Sequence, residues 1–338
     1  MGSSAATSDR LTAVVLSGGL GTRLRPLTYT LPKQLIPIAG RPVLYRTMDL
    51  LPPEVDRVVL AAGYKGEEIE RYVHAHPHRF PVRVVIEDPR ALLGTGGGLK
   101  NAASHLSDPF FFLYADTIAS APLGGLVRRQ TEARGAGVLA LYEVEDTRPY
   151  GVARLGPDDR ITEFVEKPAP EVAPSHWINA GFAVWRHEIL DLIPPGRPVS
   201  FEREIVPQLL GRGVYGFRFS GFFVDAGTLG GVLGAQRILF DRGLGVGARP
   251  PGAPGTFPDV VLMDGASATG ASLGRYVTVG AQARVEERAH VEDSIVMDGA
   301  TVERGARVSG SIVGPGVRVA EGTTVANAIV APEPASSG

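Results

Sequence analysis

Residues 12–28 read TAVVLSGGLGTRLRPLT, and LPKQLIPI follows at 31–38. An apolar run that breaks into Gly18, Gly19 and Gly21 is a strand entering a loop whose amides can approach a ligand closely. The loop lacks the GxGxxG spacing of dinucleotide folds and the GK[ST] ending of a P-loop. It offers instead Thr22-Arg23 and, ten positions after Arg23, Pro32-Lys33. Two cations and a row of amides suit a triphosphate. Working outward, apolar runs at 58–62, 82–86 and 110–114 predict further strands. After Pro42, residues Val43, Leu44, Thr47, Met48, Leu50 and Leu51 fall at helical spacing, with proline at the favoured first position. Strand, glycine loop, helix, strand is a βαβ pattern and predicts a largely parallel sheet. Runs at 137–144, 151–155, 161–166 and 180–185 predict additional strands, some of them antiparallel partners.

Nine glycines and prolines crowd residues 241–258, DRGLGVGARPPGAPGTFP, which reads as a linker. Beyond it the sequence becomes periodic. Val279, Val285 and Val291 are six apart, as are Val296, Val302 and Val308, then Val313, Val319 and Val325. The triplets begin 17 residues apart, with Leu262 one unit before and Val330 one unit after. An inward aliphatic every six residues, separated by tight turns such as DGA (298–300) and RGA (304–306), predicts a triangular parallel β-helix of roughly four coils. The domains expected are 11–240, the linker 241–258, and the β-helix 259–333.

Over 338 residues the formal charge is −2, which excludes the broad cationic field that duplex nucleic acid or an anionic membrane selects. Any anion must be met locally. The chain has 30 arginines but only four lysines, Lys33, Lys65, Lys100 and Lys167. Zero cysteines exclude disulfides, thiolate metal sites and cysteine nucleophiles. There is no apolar run near 18 residues and no basic-then-apolar leader, so a cytoplasmic protein with a frayed N-terminus is expected.

The motif GGLGTRLRPLT…LPKQLIPI resembles the signature of the sugar-phosphate nucleotidyltransferases, the nucleotide-sugar pyrophosphorylases. The resemblance continues in order through LGTGGGL (93–99), YADT (114–117), YGV (150–152), EKP (166–168), INAGF (178–182) and FFVDAGT (222–228). It covers about residues 11–240, and the periodic segment is similar to the left-handed hexapeptide domain of several members. The implied fold is α/β, a Rossmann-like, mainly parallel mixed sheet of nucleotide-diphospho-sugar transferase type, followed by a short left-handed parallel β-helix.

The resemblance implies that a sugar 1-phosphate oxygen attacks the α-phosphorus of an NTP and pyrophosphate leaves. Arg23 would grip the departing phosphates, Lys33 would hold phosphate near the reacting centre, and Lys167 would bridge the sugar phosphate and the α-phosphate. Asp116 and Asp225, each ending an apolar run, would bind Mg²⁺. Leu16, Ser17, Gly18, Gly19, Gly21 and Thr22 would line the nucleotide. The loop LGTGGGL would meet the base with Gly94 and Thr95 nearest, and Glu87 and Asp88 are candidate base-edge contacts. Gly151, Glu166 and Asn179 would hold the sugar. Ala115 and Tyr114 depart from the small residues common before the aspartate and leave base and acceptor preference open. Glu202 and Glu204, at i and i+2, read as capping or solvated carboxylates, and His74, His76 and His78 as loop residues.

The closest look is to mannose- or heptose-1-phosphate guanylyltransferases, which favours GTP. Thymidylyl or adenylyl transfer to a sugar or cyclitol 1-phosphate, and a non-catalytic regulatory subunit of the same fold, are the alternatives. The partners expected are an NTP and a sugar 1-phosphate, with neither nucleic acid nor membrane. A homo-oligomer is expected, because a solenoid presents a flat side and an open end.

Overall fold

A computed structural model describes residues 10–247 and 259–332. The expected frayed N-terminus and most of the expected linker, 248–258, lie outside the described residues. The described chain forms two compact units, one from residues 10–19 and 47–223, the other from 20–46, 224–247 and 259–332.

The first unit is built on a nine-stranded sheet. We number its strands in chain order: β1 (Leu11–Ser17), β2 (Val55–Ala62), β3 (Val82–Ile86), β4 (Phe110–Tyr114), β5 (Gly137–Glu143), β6 (Gly151–Leu155), β7 (Ile161–Glu166), β8 (Trp177–Trp185) and β9 (Val214–Arg218). The order is β7-β6-β8-β4-β1-β2-β3, with β5 pairing both β8 and β9. β1 lies parallel to β2 and β4, and β3 extends that parallel half. Every residue of β1 is buried, which is why it reads as an unbroken apolar run. β6 and β7 are an antiparallel pair, and β8 runs antiparallel to β4 and β5. Phe110, Phe111, Phe182, Trp185 and Phe201 are the largest fully buried side chains of its core.

The helix expected after Pro42 forms over Val43–Met48 only; Leu50 and Leu51 close a turn through backbone bonds to Thr47 and Met48. Its short length follows from Pro52-Pro53, which cannot continue a helix.

The second unit carries the periodic segment as three parallel sheets of five, four and three short strands, the faces of a β-helix. The valines stack one coil apart, as their spacing predicts. Leu262 faces Val279, Val279 faces Val296, Val296 faces Val313, and Val313 faces Val330. Val285, Val302 and Val319 line the second face, and Val291, Val308 and Val325 the third. Val302 on the second face and Val308 on the third are fully buried, and each such side chain contributes roughly 1.5–2 kcal/mol of transfer free energy. The same unit holds the helix Leu229–Asp241 and the small hairpin of strands Pro37–Ile38 and Arg41–Pro42. Among the described residues no helix is long and apolar enough to cross a membrane.

Candidate active site

Because β1, β2, β3 and β4 run parallel, their carboxyl ends share one edge of the sheet, where ligands of such folds are met. Leu16 and Ser17 end β1 and Gly18-Gly19 follow; the Leu16 carbonyl accepts the Ala115 N–H at 3.1 Å, fixing the turn that presents Asp116. Glu87 follows β3 and is buried. Its Oε2 accepts the Leu93 N–H at 2.6 Å, while the Asp88 carboxylate accepts the Arg90 N–H at 2.9 Å. Both carboxylates therefore shape the 87–93 loop. Burial pushes the Glu87 carboxyl above its ordinary value, and the Leu93 N–H opposes that shift.

LGTGGGL is not a loop: Gly94–Ala102 is a helix, and the motif supplies its first turn. Four glycines, Gly94, Gly96, Gly97 and Gly98, fall in this helix; in a helix interior each costs about 1 kcal/mol relative to alanine, and close packing is the reason Gly94, Gly96 and Gly97 stand there. Gly94 has φ +69°, and a Cβ on it would fall 2.8 Å from the Val199 carbonyl oxygen. Reciprocal backbone bonds clamp the turn, Gly96 N–H to the Val199 carbonyl and Val199 N–H to the Leu93 carbonyl, both 2.8 Å.

Behind this turn the structure corrects one expectation. Glu202 is neither a cap nor solvated: it is 8% exposed. Its Oε2 accepts the Thr95 hydroxyl at 2.8 Å and the Ser200 hydroxyl at 3.3 Å, and its Oε1 accepts the Tyr114 hydroxyl. Thr95 Oγ1 in turn accepts the Phe201 N–H at 2.9 Å. Desolvation raises the Glu202 carboxyl above its ordinary value, against the lowering effect of the Thr95 hydroxyl. Tyr114 is thereby explained: its hydroxyl joins the end of β4 to the carboxyl that also holds the first turn of LGTGGGL. Glu204 is the solvated partner, bound to Arg197 at 3.0 Å and to the Ser200 N–H at 2.8 Å.

The sugar-side candidates cluster on β6, β7 and β8. Gly151 pairs with Glu166 across the hairpin, and a Cβ at Gly151 would come 2.4 Å from the Phe164 ring and 2.8 Å from the Glu166 Oε2, so the glycine leaves room for both side chains. Lys167 has a left-handed φ of +52° and donates its N–H to the Tyr150 carbonyl at 2.9 Å; its Nζ lies 3.6 Å from Glu166 Oε1. Burial raises the Glu166 carboxyl, and the charges of Lys167 and Arg203 pull it down. The register of β8 against β5 breaks between Asn179 and Ala183. At that break the Asn179 Oδ1 accepts the Gly181 N–H at 3.0 Å, which fixes the oxygen as an acceptor and leaves the NH₂ as the amide's donor.

In the second unit, Gly21 precedes the turn Thr22–Leu24, and Arg23 projects from it half-exposed. Arg23 Nη2 lies 3.3 Å from Asp225 Oδ2, and Asp225 Oδ1 accepts the Gly227 N–H at 2.8 Å. A Cβ on Gly227 would fall 2.6 Å from Arg23 Nη2, so the glycine of VDAGT is what admits the guanidinium. Thr228 then caps the helix Leu229–Asp241, its hydroxyl oxygen accepting the Gly231 N–H at 3.0 Å. Lys33 opens the turn Lys33–Leu35 and is partly buried.

The expected histidine loop is partly helical, since His74 lies in the helix Gly66–Ala75, while His78 pairs with Asp49 at 2.9 Å. Among the described residues no group of three or more His, Cys, Asp or Glu is placed to hold a metal.

The nucleotidyl transferase family model matches residues 12–241, and the GMPPB C-terminal domain model matches 258–336. The chain belongs to the sugar-phosphate nucleotidyltransferase family. It is 32% identical over 299 residues to the mannose-1-phosphate guanylyltransferase of Mycobacterium tuberculosis, covering 86% of this chain and 81% of that one. It is 36% identical over 221 residues to the catalytic subunit beta of mannose-1-phosphate guanylyltransferase of Danio rerio, covering 64% of this chain and 61% of the relative. Among solved structures it resembles HddC from Yersinia pseudotuberculosis complexed with GMP-PN, at 28% identity and a TM-score of 0.58, covering 68% of this chain and 99% of HddC. A Bacillus anthracis protein crystallised with sucrose, 21% identical with a TM-score of 0.60, shares the fold. This sugar-1-phosphate nucleotidyltransferase thus carries its family's two parts in the order that the glycine loop and the valine repeat predict.

Proposed function

We propose that the enzyme transfers GMP from GTP to a mannose- or heptose-type 1-phosphate, yielding a GDP-sugar and pyrophosphate. The observation that carries this reading is the similarity to mannose-1-phosphate guanylyltransferases, one of them over 86% of the chain, together with the match of residues 258–336 to the GMPPB C-terminal domain. In the reaction, an oxygen of the sugar 1-phosphate forms a bond to the α-phosphorus. The bond from that phosphorus to the bridging oxygen of the β-phosphate breaks, and both electrons leave with pyrophosphate. Such displacement needs alignment and charge neutralisation more than an acid or base.

Arg23 binds the leaving β- and γ-phosphates, and its contact to Asp225 holds the guanidinium in one orientation beforehand. Lys33 holds phosphate at the reacting centre. Lys167 bridges the two reacting phosphates, and Glu166 beside it binds sugar hydroxyls with the Asn179 amide. The clamped first turn at Gly94 and Thr95 faces the base.

Asp116 in the first unit and Asp225 in the second each present oxygen-only donors, the chemistry that suits Mg²⁺, which usually takes one or two carboxylates together with substrate phosphates and water. Asp225 fits, since each of its carboxylate oxygens accepts one bond and retains a lone pair. When bound, the ion neutralises charge that builds on the phosphate oxygens.

A pyrophosphate-release screen of GTP, ATP, CTP, UTP and dTTP against sugar and cyclitol 1-phosphates tests the assignment. GTP with mannose or heptose 1-phosphate is the combination expected to be fastest; faster turnover with dTTP or ATP would reassign the base.

A further inference from the structure

The helix Leu229–Asp241 carries one polar side chain with no contact to solvent, Gln236 at 0% exposure. Its amide uses its full hydrogen-bonding capacity. Oε1 accepts the Ala39 N–H at 3.2 Å and the Thr278 hydroxyl at 2.8 Å, while Nε2 donates to the carbonyls of Tyr276 at 2.8 Å and Ser294 at 3.3 Å. Three partners lie on two successive coils of the β-helix, and the fourth is in the hairpin that follows Lys33. On the rim of the same helix, Arg237 pairs with Asp293 and the Tyr276 hydroxyl donates to Asp241 at 2.8 Å.

The hairpin transmits this hold toward the phosphate-binding segment. Arg46, itself buried, donates to the carbonyls of Ile38 at 3.2 Å and Ala39 at 2.8 Å. Val43 N–H bonds to the Ile36 carbonyl at 3.0 Å and Ile36 N–H to the Lys33 carbonyl at 3.2 Å. The Lys33 stem packs beside Gly21, and the Thr28 hydroxyl donates to the Gly21 carbonyl at 2.9 Å. A second contact with the coils lies at Leu27, whose Cδ1 is 3.3 Å from where a Cβ on Gly314 would stand. Arg23 and Lys33 thus ride on a segment braced against the C-terminal coils at Leu27 and at Ala39.

We propose that Gln236 is a positioning residue for nucleotidyl transfer, locking the hairpin behind Lys33 to the β-helix, so that the C-terminal coils set the geometry of the phosphate-binding segment. This gives the solenoid a task in the chemistry besides any role in assembly, and it rests on the proposed function for the roles of Arg23 and Lys33.

The test uses the full chain and three variants: Gln236→Met, Thr278→Val, which removes one of the three bonds between the coils and Gln236, and Thr278→Ser, which keeps it. Steady-state kinetics are read beside amine labelling quantified peptide by peptide, which four lysines make simple. In Gln236→Met and Thr278→Val, Lys33 should label faster while Lys65, Lys100 and Lys167 keep wild-type rates. KM for the NTP should rise about three- to tenfold, with KM for the sugar 1-phosphate unchanged. Thr278→Ser should restore both readouts. If the first two variants melt earlier yet keep wild-type Lys33 labelling and NTP KM, the inference is overturned and the contact is only structural. If the wild-type protein transfers no nucleotide, the functional reading fails, and Lys33 labelling by itself decides the positioning claim. Should Gln236→Met not fold, the Thr278 pair decides it.

Discussion

Thr95→Val replaces a hydroxyl by a methyl of nearly the same size, so it creates no cavity and isolates two bonds. The hydroxyl donates to Glu202 Oε2 at 2.8 Å and accepts from Phe201 N–H at 2.9 Å. Two ordinary bonds would be worth roughly 1–3 kcal/mol together, but the losses here leave a backbone N–H and a buried carboxyl short of partners, which costs more. Thr95 is itself only partly buried, so water recovers part of the deficit. We expect a net loss of roughly 2–3 kcal/mol. Thr95→Ser keeps both bonds, removes one methyl, and should cost about 1 kcal/mol or less. Urea denaturation of the two variants, followed through the transition of the unit that holds Thr95, reads the difference. Kinetics provide the functional half: the valine variant should show a raised KM for GTP with KM for the sugar 1-phosphate unchanged, and the serine variant should show neither. Equal stability and equal GTP KM in the two variants would mean that the hydroxyl is not what holds the first helical turn.

Three further outcomes are expected. Lys33→Ala and Lys167→Ala should each lower kcat by roughly 10²–10³ without changing the melting temperature by more than a few degrees; near wild-type turnover in either would remove that lysine from the phosphate site. Stripping divalent ions with EDTA should abolish pyrophosphate release and Mg²⁺ should restore it, whereas activity without metal would release Asp116 and Asp225 from their assigned role. Burial raises the Glu202 carboxyl above 4.5, so the folded state binds more protons than the unfolded state in the window that starts there, and stability falls as pH rises through it. Melting curves from pH 4 to 8 should therefore show Glu202→Gln gaining on wild type with rising pH, then levelling off; a gap independent of pH would mean that the carboxyl pays no desolvation cost.

Where the sequence was transparent, the determining contacts were periodic or local. Val279, Val296 and Val313 stack because each coil returns the chain after 17 residues, so spacing alone reveals them. β1 is legible because both its faces are buried. LGTGGGL misleads because glycine argues against a helix, and only the approach of Val199 to Gly94 and Gly96 shows why helix and glycine coexist. Glu202 misleads for a related reason: a charged residue two positions from Glu204 suggests solvent, while its partners Thr95 and Tyr114 are 107 and 88 residues away. Gln236 carries no local signal at all, since a glutamine in a helix suits the surface and the groups that satisfy it lie on other elements. The strand-end carboxylates and the basic residues of the glycine loop are legible in the sequence as candidates, whereas the hydrogen bonds that support the neighbouring turns are not.

The reaction assigned to this protein is transfer of a nucleoside monophosphate to a sugar 1-phosphate. Incubating the protein with Mg²⁺, mannose 1-phosphate and GTP labelled either at the α- or at the γ-phosphate tests it most directly. The α-label should appear in a GDP-sugar that resists phosphatase and the γ-label in pyrophosphate, in equal amounts. Release of γ-label as inorganic phosphate with α-label left in GDP, or no turnover with any NTP and sugar 1-phosphate, would contradict that assignment.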